Sequence, residues 1–418
     1  MNIIIGAGVT GLSFAAFSEN NDYLIIELSD SIGGYCKTTK RNGFVWDYSG
    51  HFFHFSDKEI EAFIMSNIPS DQLLTISKRT QIRYKDRLID YPFQKNIHQL
   101  PQEEFIDCLY DLFVNQHISY TNFQEMLYAK FGQSIAQKFL IPYNTKLYAC
   151  DLNTLDVNAM GRFFPYAEKT DIIKNFRLQD NDTYNATFIY PKGGAIEYVN
   201  SIASHINPAA IKLNTSIVAI NLDKHTVILS NGQTLTYDNL ISTIPFPILL
   251  QLCSIDHCEQ WYSANQVLVF NLGFDSQGND ITNHWIYFPE DKYCFYRVGF
   301  YSNILCQNRM SLYVELGFNT KQVIDVDVML PRVIADLKTA EILSDSQKLI
   351  DYETIIMNPA YVHINAHSIT DVKEKKHFLA KHDIYSIGRY GSWTYCSIED
   401  NIKEARALAQ HISRNGGK

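Results

Sequence analysis

The chain has 418 residues, of which 46% are hydrophobic and 19% are charged, and its formal net charge is -9. This composition excludes a disordered chain, and the length predicts two or three domains. The negative charge argues against nucleic-acid partners and anionic lipid, so an anionic ligand needs a local basic pocket. No apolar run approaches the roughly 20 residues of a membrane helix, and no signal peptide precedes the first strand; we therefore expect a cytoplasmic protein without stable membrane insertion.

The chain opens with a predicted strand that runs directly into a turn containing Gly6, Gly8 and Gly11. A second predicted strand ends at Glu27. This order of strand, Gly-x-Gly-x-x-Gly, helix, strand and acid is typical of a dinucleotide site, with the pyrophosphate on the helix N-terminus and a ribose hydroxyl on the acid. A glycine-rich turn without a ligand is the alternative.

The dinucleotide is predicted to be FAD rather than NAD. Glu27 is followed at short spacing by a polar stretch and a second glycine pair, Gly33 and Gly34. This order resembles that of FAD-binding oxidoreductases, in which the second pair lets the backbone approach the cofactor, whereas NAD sites generally lack it.

The next part of the chain, from Leu100 to about Phe176, has a helical pattern. Apolar residues recur at the 3.6-residue spacing of a helix in residues 104–113 and 123–131. We predict a separate helical insertion here.

Strand patterns return after the helical insertion. Residues 211–220 and 225–233 alternate between polar and apolar side chains, and an Asn-Gly pair in the second stretch predicts a hairpin turn. A segment rich in β-branched and aromatic residues follows, including residues 267–274 and 311–316. We interpret this segment as an antiparallel sheet that faces the substrate.

The C-terminal segment repeats the first pattern, with a strand at residues 384–387, a turn at Gly388 and a helix from about 398 to 412. The predicted fold class is therefore α/β, with a Rossmann-like FAD-binding domain assembled from separated segments, a helical insertion and an antiparallel sheet domain. The predicted boundaries are residues 1–77, 191–245 and 372–418 for the FAD-binding domain, 96–180 for the helical domain, and 78–95, 181–190 and 246–371 for the sheet domain.

The cysteines and histidines predict no metal site. The eight cysteines are scattered without a Cys-x-x-Cys pair, which indicates reduced thiols, and the thirteen histidines form no recognisable ligand cluster.

Seven further motifs occur along the chain. They are Gly50-His51-Phe52-Phe53, Tyr91-Pro92-Phe93-Gln94-Lys95-Asn96, Pro142-Tyr143-Asn144-Thr145-Lys146, Asn185-Ala186-Thr187-Phe188, Trp285-Ile286-Tyr287-Phe288-Pro289-Glu290-Asp291, Phe295-Tyr296-Arg297 and Gly388-Arg389-Tyr390-Gly391-Ser392-Trp393. Together they resemble the UDP-galactopyranose mutase family, most closely its eukaryotic-type branch, from residue 3 to about 408. The motifs in the substrate-binding half are the ones that identify the family, because the FAD turn alone does not separate it from amine oxidases or protoporphyrinogen oxidase.

The resemblance assigns catalytic roles to three residues. It implies that Arg297 and Arg389 contact the pyrophosphate of a nucleotide sugar, and that His51 lies in a loop facing the flavin N5. The forked donors of arginine suit a diphosphate. A surface ion pair for either arginine and a core or cap role for the histidine are the alternatives.

The resemblance also implies that Tyr91 stacks on uracil and that Gln94 hydrogen-bonds its edge. The other implied substrate residues, near the sugar, the diphosphate or a mobile flap, are Asn144, Tyr148, Arg162, Asn185, Trp285, Tyr287, Tyr361 and Tyr395. The implied cofactor residues beyond the first turns are Val218 against the adenine, Gly388 and Glu399. Ordinary structural roles are the alternative for each.

Two residues depart from the family pattern. Tyr148 replaces a tryptophan of the family and Glu399 replaces an asparagine. These changes leave the identity of the sugar undecided. A carboxylate beside a diphosphate repels it unless the carboxylate is turned away or accepts a hydrogen bond.

The resemblance implies a mechanism in which the N5 of reduced flavin attacks the anomeric carbon, the sugar ring opens and recloses, and no net redox occurs. The implied protein is an isomerase that uses FAD, with NADPH or NADH as a candidate reductant. Its implied substrate is a nucleotide-diphosphate sugar, UDP-galactose or a close relative, whose furanose form serves cell-surface polysaccharide biosynthesis. Whether the chain forms a homo-oligomer is left open. The alternatives are an FAD-dependent oxidase or desaturase and a non-catalytic flavin-bearing binding protein.

Overall fold

The computed structural model describes residues 1–19, 21–115, 119–181 and 186–415, which form nineteen strands and thirteen helices. The strands are β1 (Asn2–Ile5), β2 (Tyr23–Ile26), β3 (Thr38–Arg41), β4 (Phe44–Asp47), β5 (Leu73–Ser77), β6 (Thr80–Tyr84), β7 (Arg87–Asp90), β8 (Thr187–Pro191), β9 (Ile211–Lys212), β10 (Ile217–Asn221), β11 (Thr226–Leu229), β12 (Thr234–Thr236), β13 (Asn239–Ser242), β14 (Asn265–Phe274), β15 (Trp285–Tyr287), β16 (Arg297–Phe300), β17 (Ser311–Asn319), β18 (Leu349–Met357) and β19 (Ile384–Ser386). The helices are α1 (Val9–Phe17), α2 (Lys58–Met65), α3 (Gln102–Phe113), α4 (Phe123–Ile135), α5 (Ile141–Tyr148), α6 (Lys169–Asn175), α7 (Ile196–Ala203), α8 (Phe246–Leu252), α9 (Tyr301–Ile304), α10 (Val326–Thr339), α11 (Ala366–Ala380), α12 (Gly388–Gly391) and α13 (Ile398–Asn415).

A parallel sheet joins strands from the start, the middle and the end of the chain, in the order β19-β13-β1-β2-β9. Its strands β1 and β2 consist mostly of apolar residues, as expected where both faces of a sheet are covered. Side chains of α1, α2, α7 and α13 pack in the core on one face, and the β10–β12 ribbon, α8 and α11 contribute to the core on the other. This assembly from separated segments confirms the predicted fold class.

A seven-stranded sheet forms the second layer, in the order β18-β14-β17-β16-β15-β6-β7. Every pair in it is antiparallel except β15 with β6. Because side chains alternate across a strand, Leu312, Val314 and Leu316 of β17 join the core with α10, while Tyr313 and Glu315 face the opposite side. That opposite side borders the candidate site.

The predicted helical segments at 104–113 and 123–131 lie in α3 and α4, whose apolar faces pack in one core with β6, β7 and β15. The predicted Asn-Gly turn joins β11 to β12. The stretch 211–220 is not one strand, because β9 joins the parallel sheet and β10 joins the ribbon.

Six helices, α2, α7, α8, α9, α10 and α11, were not predicted, and the proposed boundary at residue 372 lies inside α11. The domain boundaries as such stay a prediction. No helix in the described part of the chain is long and apolar enough to cross a membrane.

Candidate active site

A cleft of about 250 Å³ lies where the loops after β4, β18 and β19 meet strands β15 and β16. Eight of the predicted site residues line it: His51, Tyr91, Trp285, Tyr287, Arg297, Tyr361, Arg389 and Tyr395. A larger groove of about 640 Å³ lies beside β6 and the end of α10, and none of the predicted site residues lines it. We therefore take the smaller cleft as the candidate active site.

The first glycine turn has the geometry that a dinucleotide requires. Gly6 has φ +100°, and a Cβ on Gly11 would collide with the carbonyl oxygen of Gly6. Gly8 stands at the N-cap of α1, where no side chain caps the helix and no acid lies in the first turn. The N-terminus of α1 is therefore open to a pyrophosphate.

The second glycine pair lies directly against the first turn. Gly8 bridges to Gly33, and a Cβ on Gly34, whose φ is +57°, would lie 3.3 Å from the Cα of Gly8. Glu27 accepts the backbone N–H groups of Ala7 at 2.7 Å and of Ser29 at 2.8 Å. Each carboxylate oxygen keeps a lone pair for a ribose hydroxyl, so these residues fit FAD.

Arg389 follows Gly388, whose φ is +83°, and its backbone N–H donates to Oδ1 of Asn401 at 2.8 Å. Its guanidinium lies over the rings of Tyr361 and Tyr395, 5.2 and 4.6 Å from their centroids. The Nε–H is buried and has no acceptor, and no carboxylate in the described part of the chain forms an ion pair with this arginine. Its donors are thus available to an anionic ligand.

Arg297 has a different environment. Its Nε and Nη2 both donate to the carboxylate of Glu315 at 2.7 Å, and Glu315 is 1% exposed. Ser49 donates to the same carboxylate through its hydroxyl. The charge of Arg297 is therefore compensated within the protein, and the two N–H groups of Nη1 and the second N–H of Nη2 remain as donors.

His51 lies two residues after Ser49, a non-glycine residue with φ +121°. Burial lowers the pKa of His51 to about 4; the cations Arg389 and Arg297 act in the same direction, and Glu315 opposes them. Its Nδ1 is buried without a hydrogen-bond partner. His51 is therefore neutral at physiological pH.

The low pKa of His51 predicts a pH dependence of stability. Between about pH 6.5 and about pH 4 the unfolded chain binds a proton at this residue and the folded chain does not, so the free energy of unfolding falls as the pH falls through this window. We expect a smaller fall for His51→Gln, measured by urea unfolding at about pH 7 and about pH 5. The surface variant His377→Gln should behave as the wild type; an unchanged fall in His51→Gln contradicts the prediction.

Aromatic rings line the side of the cleft formed by β15 and α5. The ring of Tyr287 lies 5.1 Å from that of Tyr91 and 5.0 Å from that of Tyr143, between centroids. Nε1 of Trp285 donates to the hydroxyl of Tyr287 at 2.8 Å. This surface offers flat faces for a base or sugar.

Three of the predicted substrate residues that do not line the cleft are buried. Gln94 donates through Nε2 to the carbonyl of Pro165, and Asn144 donates to the carbonyl of Leu140 at 2.6 Å. Tyr148 packs edge-on against Tyr361, and its hydroxyl has no partner. Their predicted roles as direct contacts receive no support from this arrangement.

Glu399 points away from the cleft. Its carboxylate accepts the N–H groups of Ser56 at 2.8 Å and Asp57 at 2.6 Å, and it forms an ion pair with Lys403. Burial acts to raise the pKa of Glu399, but these hydrogen bonds outweigh burial and hold the pKa below its usual value. This carboxylate anchors the start of α2, so the expected repulsion of a diphosphate does not arise.

The remaining predicted residues lie at the edge of the site or outside it. Arg162 pairs with Asp400 at 2.7 Å, which joins the turn before Phe163 to the first turn of α13. Val218 is half-exposed on β10. Asn185 lies outside the described residues.

Three of the residues that sequence reasoning missed bear directly on the chemistry of the cleft. Tyr143 and His54 line it, and Glu315 compensates Arg297. The sequence contains a signal for Glu315: it is the single charged residue in the apolar stretch 311–316, and a buried carboxylate needs a partner.

Comparison with known proteins bears on the family and the fold of the chain. The sequence of residues 17–276 matches the family described as flavin containing amine oxidoreductase. The structure is similar to that of a reduced UDP-galactopyranose mutase, with a TM-score of 0.91 and 24% identity over 98% of this chain and 95% of that chain.

Two other structures share the fold at lower similarity. A cyclohexylamine oxidase from Brevibacterium oxydans IH-35A has a TM-score of 0.72 and 13% identity, over 100% of this chain and 99% of that chain. A CLA-producing fatty acid isomerase from P. acnes has a TM-score of 0.66 and 13% identity, over 99% of this chain and 98% of that chain. The structural similarities show a shared fold, and the sequence match spans most of the chain. The chain therefore belongs to the flavin containing amine oxidoreductase family, whose members are FAD-dependent enzymes.

Proposed function

We propose that the chain is a mutase that interconverts the pyranose and furanose forms of a nucleotide-diphosphate sugar, UDP-galactose or a close relative, with no net redox. Arg389 carries the proposal. A cleft arginine with free donors and no carboxylate partner in the described chain attracts a diphosphate and repels a protonated amine. The overall similarity to a UDP-galactopyranose mutase supports the same choice.

Arg389 stabilises the diphosphate as it leaves the sugar, because the positive charge of the guanidinium is fixed in a cleft from which water is partly excluded. The rings of Tyr361 and Tyr395 hold the guanidinium in place. The guanidinium therefore occupies the ring faces of Tyr361 and Tyr395, so these rings do not form an aromatic cage that is open to a substrate amine.

FAD fits the glycine turns and Glu27, and in its reduced form it supplies the nucleophile for the anomeric carbon. The residues of the chain supply positioning and exclude water. Tyr91 and Tyr287 place the base and the sugar, and neutral His51 offers a nitrogen without a protein partner for a hydrogen bond.

The redox state of the flavin should switch the activity. We expect conversion of UDP-galactose to its furanose form only after anaerobic reduction of the bound flavin, since only the reduced cofactor is nucleophilic. Separation of pyranose and furanose products before and after dithionite treatment measures this. Equal rates in both redox states would count against the proposal.

A pyrimidine base is expected to bind better than a purine. Gln94 does not line the cleft, and stacking by Tyr91 does not distinguish one base from another, so the expected preference for uracil rests on the similarity to a UDP-galactopyranose mutase. We expect UDP to inhibit better than GDP, and Tyr91→Ala to weaken UDP binding about fivefold, the equivalent of about 1 kcal/mol. The exposed Tyr110→Ala is the matched control; tighter binding of GDP to the wild type overturns the base assignment.

An FAD-dependent oxidase or desaturase is the second candidate. Glu315 favours it, because this residue compensates Arg297 and leaves one uncompensated cleft arginine where two were expected. Such an enzyme transfers a hydride to the flavin in every turnover, which a mutase does not.

A further inference from the structure

Lys146 makes an unusual set of hydrogen bonds. It lies on α5, and its Nζ is within hydrogen-bond distance of the carbonyl oxygens of Phe288 at 2.9 Å, Glu290 at 3.0 Å, Tyr293 at 2.8 Å and Phe295 at 2.6 Å. The three N–H groups of the ammonium are shared among these four acceptors. Within the described chain it has no carboxylate within ion-pair distance. All four acceptors belong to residues 288–296, here called the β15–β16 loop.

The β15–β16 loop joins two residues of the candidate active site. β15 ends at Tyr287 and β16 begins at Arg297, and these two residues are paired across the strands. Both side chains line the cleft. The conformation of this loop, together with the pairing of β15 with β6 and of β16 with β17, therefore determines where Tyr287 and Arg297 stand.

The loop is also held by α10 and β17. The N–H of Cys294 donates to Asp336 at 2.7 Å, the N–H of Tyr296 donates to the carbonyl of Glu315 at 3.0 Å, and aromatic side chains of the loop are buried in the core with α10. Phe288 donates its N–H to the carbonyl of Tyr296, which closes the loop at its base. Four carbonyls of the loop converge on the ammonium of Lys146. Without the ammonium they lose a charge-assisted donor, and a partly buried carbonyl without a partner costs free energy.

Lys146 is itself held firmly against the seven-stranded sheet. A Cβ on Gly317 of β17 would collide with the carbonyl oxygen of Lys146, so only glycine permits this close approach of α5. Asn265 of β14 donates to the carbonyl of Leu147 at 2.6 Å. The ammonium is thus projected from a fixed backbone.

We propose that Lys146 is a positioning residue for substrate binding, because its ammonium holds the β15–β16 loop in the conformation that places Tyr287 and Arg297 in the cleft. The part of this inference that concerns substrate rests on the proposed function. The ordering of the loop is a property of the chain alone.

Hydrogen exchange of the flavin-loaded protein tests the ordering of the loop. In Lys146→Met, amides of residues 288–297 should exchange about tenfold faster than in the wild type, the ratio expected when a charged hydrogen bond is lost, while β14 amides keep their protection. Lys146→Arg, which keeps a charged donor, should restore part of the protection. Lys373→Met, an exposed change on α11, is the control.

Lys146→Gln keeps two donors without the charge and is measured in the same way if Lys146→Met does not fold. Loop exchange in the folded variant within about twofold of the wild type overturns the inference. In the Lys146 variant we expect substrate binding to weaken more than turnover. The KM for the nucleotide sugar and the Kd of UDP should rise about tenfold, while kcat changes less than about threefold.

The two readouts separate the two claims. If the wild type binds no UDP and has no mutase activity while the loop exchanges faster in Lys146→Met, the proposed function fails and the ordering role holds. If the wild type is an active mutase and the loop is unchanged in the variant, the positioning role fails alone.

Discussion

Replacing Arg389 with alanine is expected to weaken UDP binding by about 30- to 1,000-fold, the equivalent of about 2 to 4 kcal/mol. Arg389 is the cleft arginine whose donors are not used by a carboxylate of the described chain, so its loss removes the main attraction for a diphosphate. The bound flavin should remain, because the glycine turns and Glu27 that fit FAD are separate from this side chain. Titration calorimetry with UDP measures the change.

Lysine at position 389 is expected to restore only part of the affinity, because an ammonium lacks the forked donors of a guanidinium. Arg414→Ala, an exposed change on α13, serves as the control for loss of one positive charge. Wild-type affinity in Arg389→Ala would remove the assignment of this residue to the diphosphate.

Replacing Arg297 with alanine is expected to lower the free energy of unfolding by about 3 to 5 kcal/mol, because it leaves the carboxylate of Glu315 buried without a cation. The double change Arg297→Met with Glu315→Gln removes the charge of both partners and keeps an amide oxygen to accept from Ser49. We expect it to recover at least about half of the lost stability.

Urea unfolding of the flavin-loaded wild type, the single variant and the double variant measures this effect. A double variant that is as unstable as Arg297→Ala would show that the ion pair is not the cause. The result also decides how kinetic data on Arg297 are interpreted, because part of any loss of activity in Arg297→Ala then reflects folding.

Local patterns in the sequence predicted most of the fold. The turn at Gly6, Gly8 and Gly11 follows from backbone conformation and close approach, which only glycine permits. The apolar spacing of α3 and α4 and the β-branched runs of β14 and β17 are equally local signals. Helix α11 was missed because most of its positions carry polar or charged side chains, so its apolar stripe is weak.

The candidate site was predicted less completely, since the direction of a loop side chain depends on residues far along the chain. The motifs did identify eight residues that share the cleft. They did not show that Glu399 binds the backbone at Ser56, or that Gln94 donates to Pro165. Arg297 was predicted as a free clamp because its sequence motif does not contain Glu315, eighteen residues later.

The number of product molecules formed per flavin reduction tests the central claim most directly. The protein is reduced once, kept without oxygen or added reductant, and given excess UDP-galactose; the furanose product and the flavin absorbance are then followed together. A mutase forms many product molecules per flavin while the flavin stays reduced, because its chemistry has no net redox. No furanose product, with substrate oxidised only when an oxidant is supplied and in step with flavin reduction, would contradict the account and indicate an oxidase.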